Sequence, residues 1–471
     1  MDVIEEIQKQ EEEYRDSIAT VDSEGKRIWI YPKKPKGKFY DYRKWLSYFL
    51  LLVLFGLPWV KVGGEPFVLL NVVDRKFILF GFHFGLQDFH LFVIGMIILM
   101  LFIVLFTVVF GRLFCGWICP QTIFMEMVYR RIEYLIEGDA NAQRRLNKAP
   151  WTIKKIWKKG LKQAIFFAIA VLIANTFLAY IIGTDEVMKI MGEPVSEHTS
   201  GFIAMIIFSA VFYLVFSVLR EQVCTTICPY GRLQGVMLDK NSLAVYYDFV
   251  RGEPRGKIKK KVDPDAPKLG DCIDCKLCVQ VCPTGIDIRN GIQLECVNCT
   301  ACMDACDEVM EKINRPKGLV RMDSYNGITN KEHKFFNARS LAYSIVLVVL
   351  IGLESFLFIS RSDVETLLLR TPGMLYQEPE PGIISNLYNY QLINKTDEEY
   401  QVRMEIVNIE GEIDYIGQDP RTVKNNVSEG ALFIKIKKDL LKGRKNELHI
   451  NVYNGDVLVD EVKTNFLGPI K

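Results

Sequence analysis

The sequence predicts a multi-domain membrane protein: an α-helical domain of five spans, a cysteine-rich insert before the fifth, and a C-terminal β-sandwich. Three observations predict it. Apolar runs long enough to cross a bilayer alternate with very polar stretches, in 471 residues that are 49% hydrophobic and 12% aromatic yet 24% charged. All twelve cysteines lie at or before Cys306. The last hundred or so residues alternate polar and apolar side chains. Basic and acidic residues nearly balance, 58 against 56, so nothing points to nucleic acid or to an acidic partner.

Residues 1–41 form a polar N-terminal segment, acidic at Glu11–Glu13 and basic at Lys33–Lys38, with no apolar core of a signal peptide. A four-span domain follows over 42–250. Crossing roughly 30 Å of hydrocarbon takes about 20 helical residues. Leu91–Phe110, Ala164–Ile182 and Phe202–Leu219 meet that length, as does Leu341–Ile359 within the fifth helix, 339–360. Trp45–Val60 is shorter and carries Gly56 and Pro58, but Tyr42 and Trp59 suit the two interfaces. Phe67–Phe89 is broken by Asp74, Arg75 and Lys76 and reads as a segment on the outer surface.

Loop charge sets the expected orientation. Lys33, Lys34, Lys36, Lys38, Arg43 and Lys44 precede the first span, and eleven basic residues from Arg112 to Lys162 lie between the second and third. The opposite loops hold only Lys61, Arg75, Lys76 and Lys189. The N-terminus and the segment Arg220–Arg339 are therefore expected in the cytoplasm, and everything after Ser360 outside.

The insert, with its linker, covers 251–338. Cys272-x2-Cys275-x2-Cys278-x3-Cys282-Pro283 is followed by Cys296-x2-Cys299-x2-Cys302-x3-Cys306. Three closely spaced thiolates wrap one iron–sulfur cubane, and the fourth reaches across to the other. The spacing predicts a bacterial-type ferredoxin with two [4Fe–4S] clusters: Cys272, Cys275, Cys278 and Cys306 on one, and Cys296, Cys299, Cys302 and Cys282 on the second. Paired zinc knuckles would also use Cys-x2-Cys, but two complete runs in tandem argue against them. Asp307 stands where a proline often follows the last cysteine. The Lys-, Pro- and Gly-rich stretch Arg251–Lys268 reads as a linker along an anionic membrane surface or simply in solvent.

Two further motifs occupy equivalent places after spans two and four: Phe114-Cys115-Gly116-Trp117-Ile118-Cys119-Pro120 and Val223-Cys224-Thr225-Thr226-Ile227-Cys228-Pro229. Residues four apart share a helix face, so each motif is expected to aim two thiols one way, with the proline discouraging helix beyond. If the two hairpins pack as repeats, Cys115, Cys119, Cys224 and Cys228 converge. Such a set suits Cu(I) or another soft metal, although free cysteines also pack helices well. His83, His90 and His198 are expected on the outer side, where interfacial packing is the plainer reading, and Glu354 lies inside span five. The alternation in Gln401–Ile406, Leu432–Lys437 and Glu447–Tyr453, with a turn at Asn454-Gly455-Asp456, predicts an external immunoglobulin-like sandwich over 371–471.

Taken together, FCGWICPQT, VCTTICPYGR, the double ferredoxin run, the five spans and the terminal sandwich resemble the FixG/RdxA/CcoG family of cytochrome c oxidase accessory proteins. The likeness covers essentially the whole chain. It implies a bacterial inner-membrane protein that helps assemble a cbb-type haem–copper oxidase by reducing Cu(II) to Cu(I), with Cys115, Cys119, Cys224 and Cys228 as the copper-reducing thiols. Its partners would be that assembly machinery or copper donors, and an electron donor that the likeness does not name. Two other readings remain: an electron-transfer subunit of a quinol-oxidising system, and a copper-binding scaffold with structural clusters.

Overall fold

In the computed structural model the described residues are 20–21, 24, 26–72, 76–84, 88–257, 269–332, 337–362, 364–373, 375–394, 399, 401–417, 420–423 and 427–469. The chain divides into two compact units, Met1–Trp59 with Gly95–Ile351, and Val60–Ile94 with Gly352–Lys471.

Five long helices organise the membrane part: α1 (Lys38–Gly56), α2 (Phe89–Phe110), α3 (Ile153–Ile182), α4 (Thr199–Leu219) and α5 (Ala338–Ile359). Four of them, α2 to α5, are long and apolar enough to cross a membrane. The most apolar window of α5 buries 0% of its residues within the chain, so its faces need an apolar solvent. At about 1.5 Å per residue, the 30 residues of α3 run to about 45 Å, longer than the hydrocarbon core. The surplus is its basic start, Lys154 to Lys162, begun where the Thr152 hydroxyl accepts a hydrogen bond from the Lys155 amide at 3.3 Å.

Helix α1 differs from the predicted first span. It starts earlier, at Lys38, takes Asp41, Arg43 and Lys44 into its opening turns, and passes through a short turn at Leu57–Trp59. Its flanking Gly37 offers no side-chain cap. Asp304 supplies one instead, accepting from the Phe39 amide at 3.2 Å and the Tyr40 amide at 2.8 Å. Gly37 sits at φ 140°, and a Cβ there would collide with that carboxylate, so the position needs glycine. An acidic cap at a helix start is typically worth about 0.5–2 kcal/mol.

Beneath the helices lies a lattice of buried charge. Arg220 makes two 2.7 Å hydrogen bonds to Glu133. Arg130 bridges Glu126 at 2.6 Å and Glu221 at 3.5 Å, and Arg27 adds a second bond to Glu221 at 2.9 Å. Lys159 and Lys162 each reach Glu137 at 3.0 Å. Above it, Tyr129 stacks on Phe216 with centroids 4.9 Å apart and meets Phe166 edge-on at 4.7 Å. Burial alone would push the Glu133 carboxyl up, but Arg220, Lys162 and Arg130 outweigh it and hold Glu133 below the ordinary 4.5.

The ferredoxin insert closes where the strand Ala244–Tyr247 pairs antiparallel with Val320–Asp323. Residues 258–268 of the expected linker lie outside the described residues. Arg251, at its start, is fixed: it pairs with Asp271 at 2.5 Å and donates to the Lys317 carbonyl at 3.0 Å.

The second unit is mostly sheet. Val68–Asn71, Lys76–Leu79 and Phe82–Phe84 form an antiparallel meander, so Phe67–Phe89 is not a helical span. Arg361 pairs with Asp88 at 2.8 Å, and Phe358 meets Phe82 edge-on at 5.2 Å. The sandwich sets one antiparallel sheet against a second. The first has the order Gly411–Ile416, Val427–Lys437, Ile383–Asn394, Val364–Arg370, with Gln377–Glu380 also on Ile383–Asn394; the second has Val402–Ile406, Lys445–Asn454, Val457–Leu467. Alternate residues Leu432, Ile434 and Ile436 meet Leu448, Ile450 and Val452 in one buried core. A one-residue slip would turn that set out to water. The sheet takes in Val364–Arg370, ahead of residue 371.

Because Glu133 shares two hydrogen bonds with a buried guanidinium, Glu133→Ala should destabilise the first unit by about 3–5 kcal/mol. Denaturant unfolding of the detergent-solubilised protein measures this. The folded pKa is depressed, so the contribution is present above the ordinary carboxylate range and is lost as pH falls through the folded value. The wild-type advantage over Glu133→Ala should therefore shrink on acidification and stay level from pH 6 to 8.

Candidate iron–sulfur and thiol site

The two cysteine runs bend alike around their middle cysteines. On either side of the middle cysteine, Asp274 and Lys276 in the first run and Asn298 and Thr300 in the second all have positive φ, between 51° and 63°. A left-handed non-glycine residue costs about 1–2 kcal/mol, so four at matched offsets mark loops bent around something. Cys278 then starts a helical turn, Leu277–Gln280, while Cys302 and Cys306 lie four apart on one face of Ala301–Lys312. Asp307 continues that helix, and its carboxylate accepts from the Gly318 amide at 2.8 Å, anchoring the return strand.

Two cavities follow. One of about 360 Å³ is lined by Cys272, Cys275, Cys278 and Cys306. The other, about 350 Å³, is lined by Cys282, Cys296, Cys299 and Cys302, with Cys278 also on its wall. The fourth cysteine of each run thus lines the cavity of the opposite run. A lone zinc would hold four thiolates about 2.3 Å from its centre. Among the described residues no three Cys, His, Asp or Glu side chains approach closely enough for one ion, and each ring fits a larger group.

Buried cations support that fit. Arg43 is 2% exposed; one of its terminal nitrogens is 3.5 Å from the Cys299 carbonyl and the other has no hydrogen-bond partner. Arg112 is 3% exposed, donating from Nε to Gln234 at 3.2 Å and from a terminal nitrogen to the Leu294 carbonyl. Among the described residues neither has a carboxylate partner. A buried unpaired charge is costly, and here each lies beside thiols that become anionic as cluster ligands. Burial pushes the Cys299 thiol up to about 11 against the opposing pull of Arg43, and the Cys278 and Cys296 thiols up to about 12 against Arg289 and Arg112.

The membrane motifs depart from the expected single helix face. Cys115 lies in the short helix Leu113–Trp117, but Cys119 is extended (ψ 124°) and flanks a new helix, Pro120–Ile123. Cys228 (ψ 111°) likewise precedes Pro229–Met237. Each proline therefore starts a helix, where its missing N–H costs nothing. The amide of each second cysteine bonds to the carbonyl five residues back: Cys119 to Phe114 at 2.9 Å and Cys228 to Val223 at 2.7 Å. This matched geometry is a local repeat.

The four thiols are neighbours. Burial first, then Cys119, Cys115 and Cys228, push the Cys224 thiol up to about 12. Burial likewise pushes Cys115 up to about 11, with Arg112 opposing. Cys115 donates to the buried Gln234 amide oxygen at 2.9 Å, and Gln234 in turn donates to Thr107 at 3.1 Å. Cys115 also packs in one buried group with Val297 and Cys299. Gly116 permits this: a Cβ there would strike the Val297 carbonyl, and next to it the Trp117 indole donates to the Asn298 carbonyl at 3.2 Å.

Arg43 and Arg112 enter the sequence reading only as loop charge, and Gln234 not at all, because no spacing signal ties any of them to the cysteines. Of the weaker candidates, His198 pairs with Glu193 in its own loop. His90 is within electrostatic reach of Glu354, whose Oε2 has no hydrogen-bond partner among the described residues. The side chain of His83 lies outside the described residues.

Anaerobically purified protein should carry about eight iron and about eight acid-labile sulfide per chain; two zinc and no sulfide would contradict the fit. Cys282→Ser should damage the cluster site of Cys296, Cys299 and Cys302 while sparing the other. Arg43→Gln should lower the midpoint potential of that same site in a titration followed by electron paramagnetic resonance, and Arg43→Lys should restore most of it.

Three family models match the chain: a 4Fe–4S binding domain over residues 92–138, a 4Fe–4S dicluster domain over 219–325, and the Ig-like fold at the C-terminus of FixG over 355–469. Nitrogen fixation protein FixG of Rhizobium meliloti is 40% identical over 306 residues, 63% of this chain and 57% of FixG. The chain therefore aligns with less than two thirds of that relative. Protein RdxA of Cereibacter sphaeroides is 33% identical over 399 residues, 81% of this chain and 82% of RdxA. Protein RdxB of the same organism is 33% identical over 404 residues, 80% and 82%. With the cysteine cavities and the sandwich in place, the chain belongs to the FixG/RdxA family of iron–sulfur proteins.

Proposed function

We propose that this protein is a membrane-bound electron carrier that reduces Cu(II) to Cu(I) for assembly of a cbb-type haem–copper oxidase. The observation that carries the reading is the packing of the Cys115 thiol in one buried group with Cys299, which puts a membrane thiol motif against a cluster-binding loop. In this reading Cys272, Cys275, Cys278 and Cys306 hold one [4Fe–4S] cluster, and Cys282, Cys296, Cys299 and Cys302 the second. Bound clusters supply reversible one-electron storage. Cys115, Cys119, Cys224 and Cys228 receive the copper, and the Gln234 amide positions Cys115 through its 2.9 Å hydrogen bond. Buried thiols held neutral lose their protons to a metal on binding, so copper uptake should release protons.

The basic loops on one side of the spans support a cytoplasmic N-terminus and ferredoxin insert, with the sandwich outside, in a bacterial inner membrane. Oxidase assembly factors and copper donors are the partners this reading implies, together with an electron donor of unassigned identity.

Reduced protein under anaerobic conditions should be reoxidised on adding Cu(II), with the visible absorbance of the oxidised clusters returning in proportion to the Cu(I) formed, one electron for each copper. The Cys115→Ala/Cys224→Ala double variant should keep its iron and sulfide yet lose this reaction, and either single substitution should be nearly as severe if the thiols act as one unit. Unchanged cupric reduction in the double variant would remove the thiols from the reading. A reporter active only outside the membrane should be silent when fused near Asn141 and active near Gln377; the reverse pattern would invert the orientation.

A further inference from the structure

A third cavity, of about 320 Å³, adjoins the cavity of Cys282, Cys296, Cys299 and Cys302. Pro283 and Val297 line both. Its other walls include Cys224 from the second membrane motif and Met125, five residues beyond the end of the first.

The donors around this space sort by their partners. Glu126 is bound to Arg130 at 2.6 Å, and Glu221 to Arg27 at 2.9 Å and Arg130 at 3.5 Å. The Arg220 guanidinium on the same wall is taken up by Glu133. The carboxylates are thereby committed to ion pairs, and a cavity bordered by arginine disfavours a divalent cation. Apart from the neutral side-chain oxygens of Gln121, Thr122 and Thr284, the donors left on this wall are two soft sulfurs, the Cys224 thiol and the Met125 thioether.

Local structure holds Met125 there. Pro120 launches a helix that widens into a π turn over Phe124–Tyr129, a feature often found at functional sites. Met125 is 4% exposed and lines this cavity together with Cys224, so its thioether is a soft donor held out of water. Cys119, the thiol with the largest electrostatic effect on Cys224, opens the same helix. Sulfur donors without free carboxylates select a soft monovalent ion.

We propose that Met125 and Cys224 form a two-sulfur site that retains Cu(I), with Cys119 as the next available thiol. The proposal rests on the copper reading above and adds a ligand from outside both CxxxCP motifs. It assigns this cavity to the reduced product, whereas the thiols of both motifs together serve arrival and reduction.

The test uses full-length, cluster-loaded protein grown with selenomethionine and given one equivalent of Cu(I) without oxygen. X-ray absorption at the copper edge should show a copper–selenium shell in the wild type. In Met125→Leu, which nearly conserves volume, the shell should vanish while copper–sulfur scattering persists. Against a chromophoric Cu(I) chelator, Met125→Leu should bind about tenfold or more weakly, with iron content unchanged. No copper–selenium shell in the wild type, or equal Cu(I) affinity in the variant, would overturn the site. If Cu(II) still reoxidises the clusters in either of those cases, only this inference fails. If the selenium shell is present but Cu(II) does not reoxidise them, the site stands and the reductase reading fails.

Discussion

The contact on which this arrangement depends is the close approach of Gly116 to the Val297 carbonyl. It lets the backbone of the first membrane motif lie directly on a cluster-binding loop, with the Trp117 indole and the Arg112 guanidinium hydrogen-bonded to carbonyls on either side of it. Any larger residue would wedge the two apart and separate Cys115 from the group it shares with Cys299. The first membrane motif and the ferredoxin insert are thus packed directly together, with no flexible linker between Gly116 and the cluster-binding loop.

Charge follows from that contact. Packing a ferredoxin against helix ends removes water from the cluster loops, and an anionic cluster in a dry setting needs compensation. Arg43 and Arg112 answer this on the second site, and Arg289, bound to Asp274 and Asp287 at 2.6 Å each, lies on the first. The lattice around Arg130, Glu133, Arg220 and Glu221 pairs its charges among its own members, and Arg130 also donates to the Pro283 carbonyl at 2.9 Å. It braces the helix ends and leaves the two unpaired guanidinia to the cluster loop.

Much of this was legible because the signals were local. Cysteine spacing carries the ferredoxin since the ligands of one cluster mostly come from one loop, and the alternation of Leu432, Ile434 and Ile436 carries the sandwich since a half-buried strand has period two. Proline was read with the right residue and the wrong consequence: Pro120 and Pro229 interrupt one helix by beginning another, and so turn Cys119 and Cys228 off the face of Cys115 and Cys224. The start of α1 was missed because its cap comes from a distant aspartate. The places of Gln234 beside Cys115 and of Arg43 beside Cys299 were not legible for the same reason: each depends on neighbours that only tertiary packing supplies.

The capping of α1 by Asp304 also sets a clock on biosynthesis. The Tyr40 amide and the carboxylate it needs are 264 residues apart in the chain. At about 5–20 residues per second, the ribosome delivers Asp304 roughly 13–53 s after Tyr40. During that interval the first turn of α1 lacks its cap and Arg43 lacks the Cys299 carbonyl. Settling of the first turn of α1 is therefore tied to synthesis of the insert that carries Asp304.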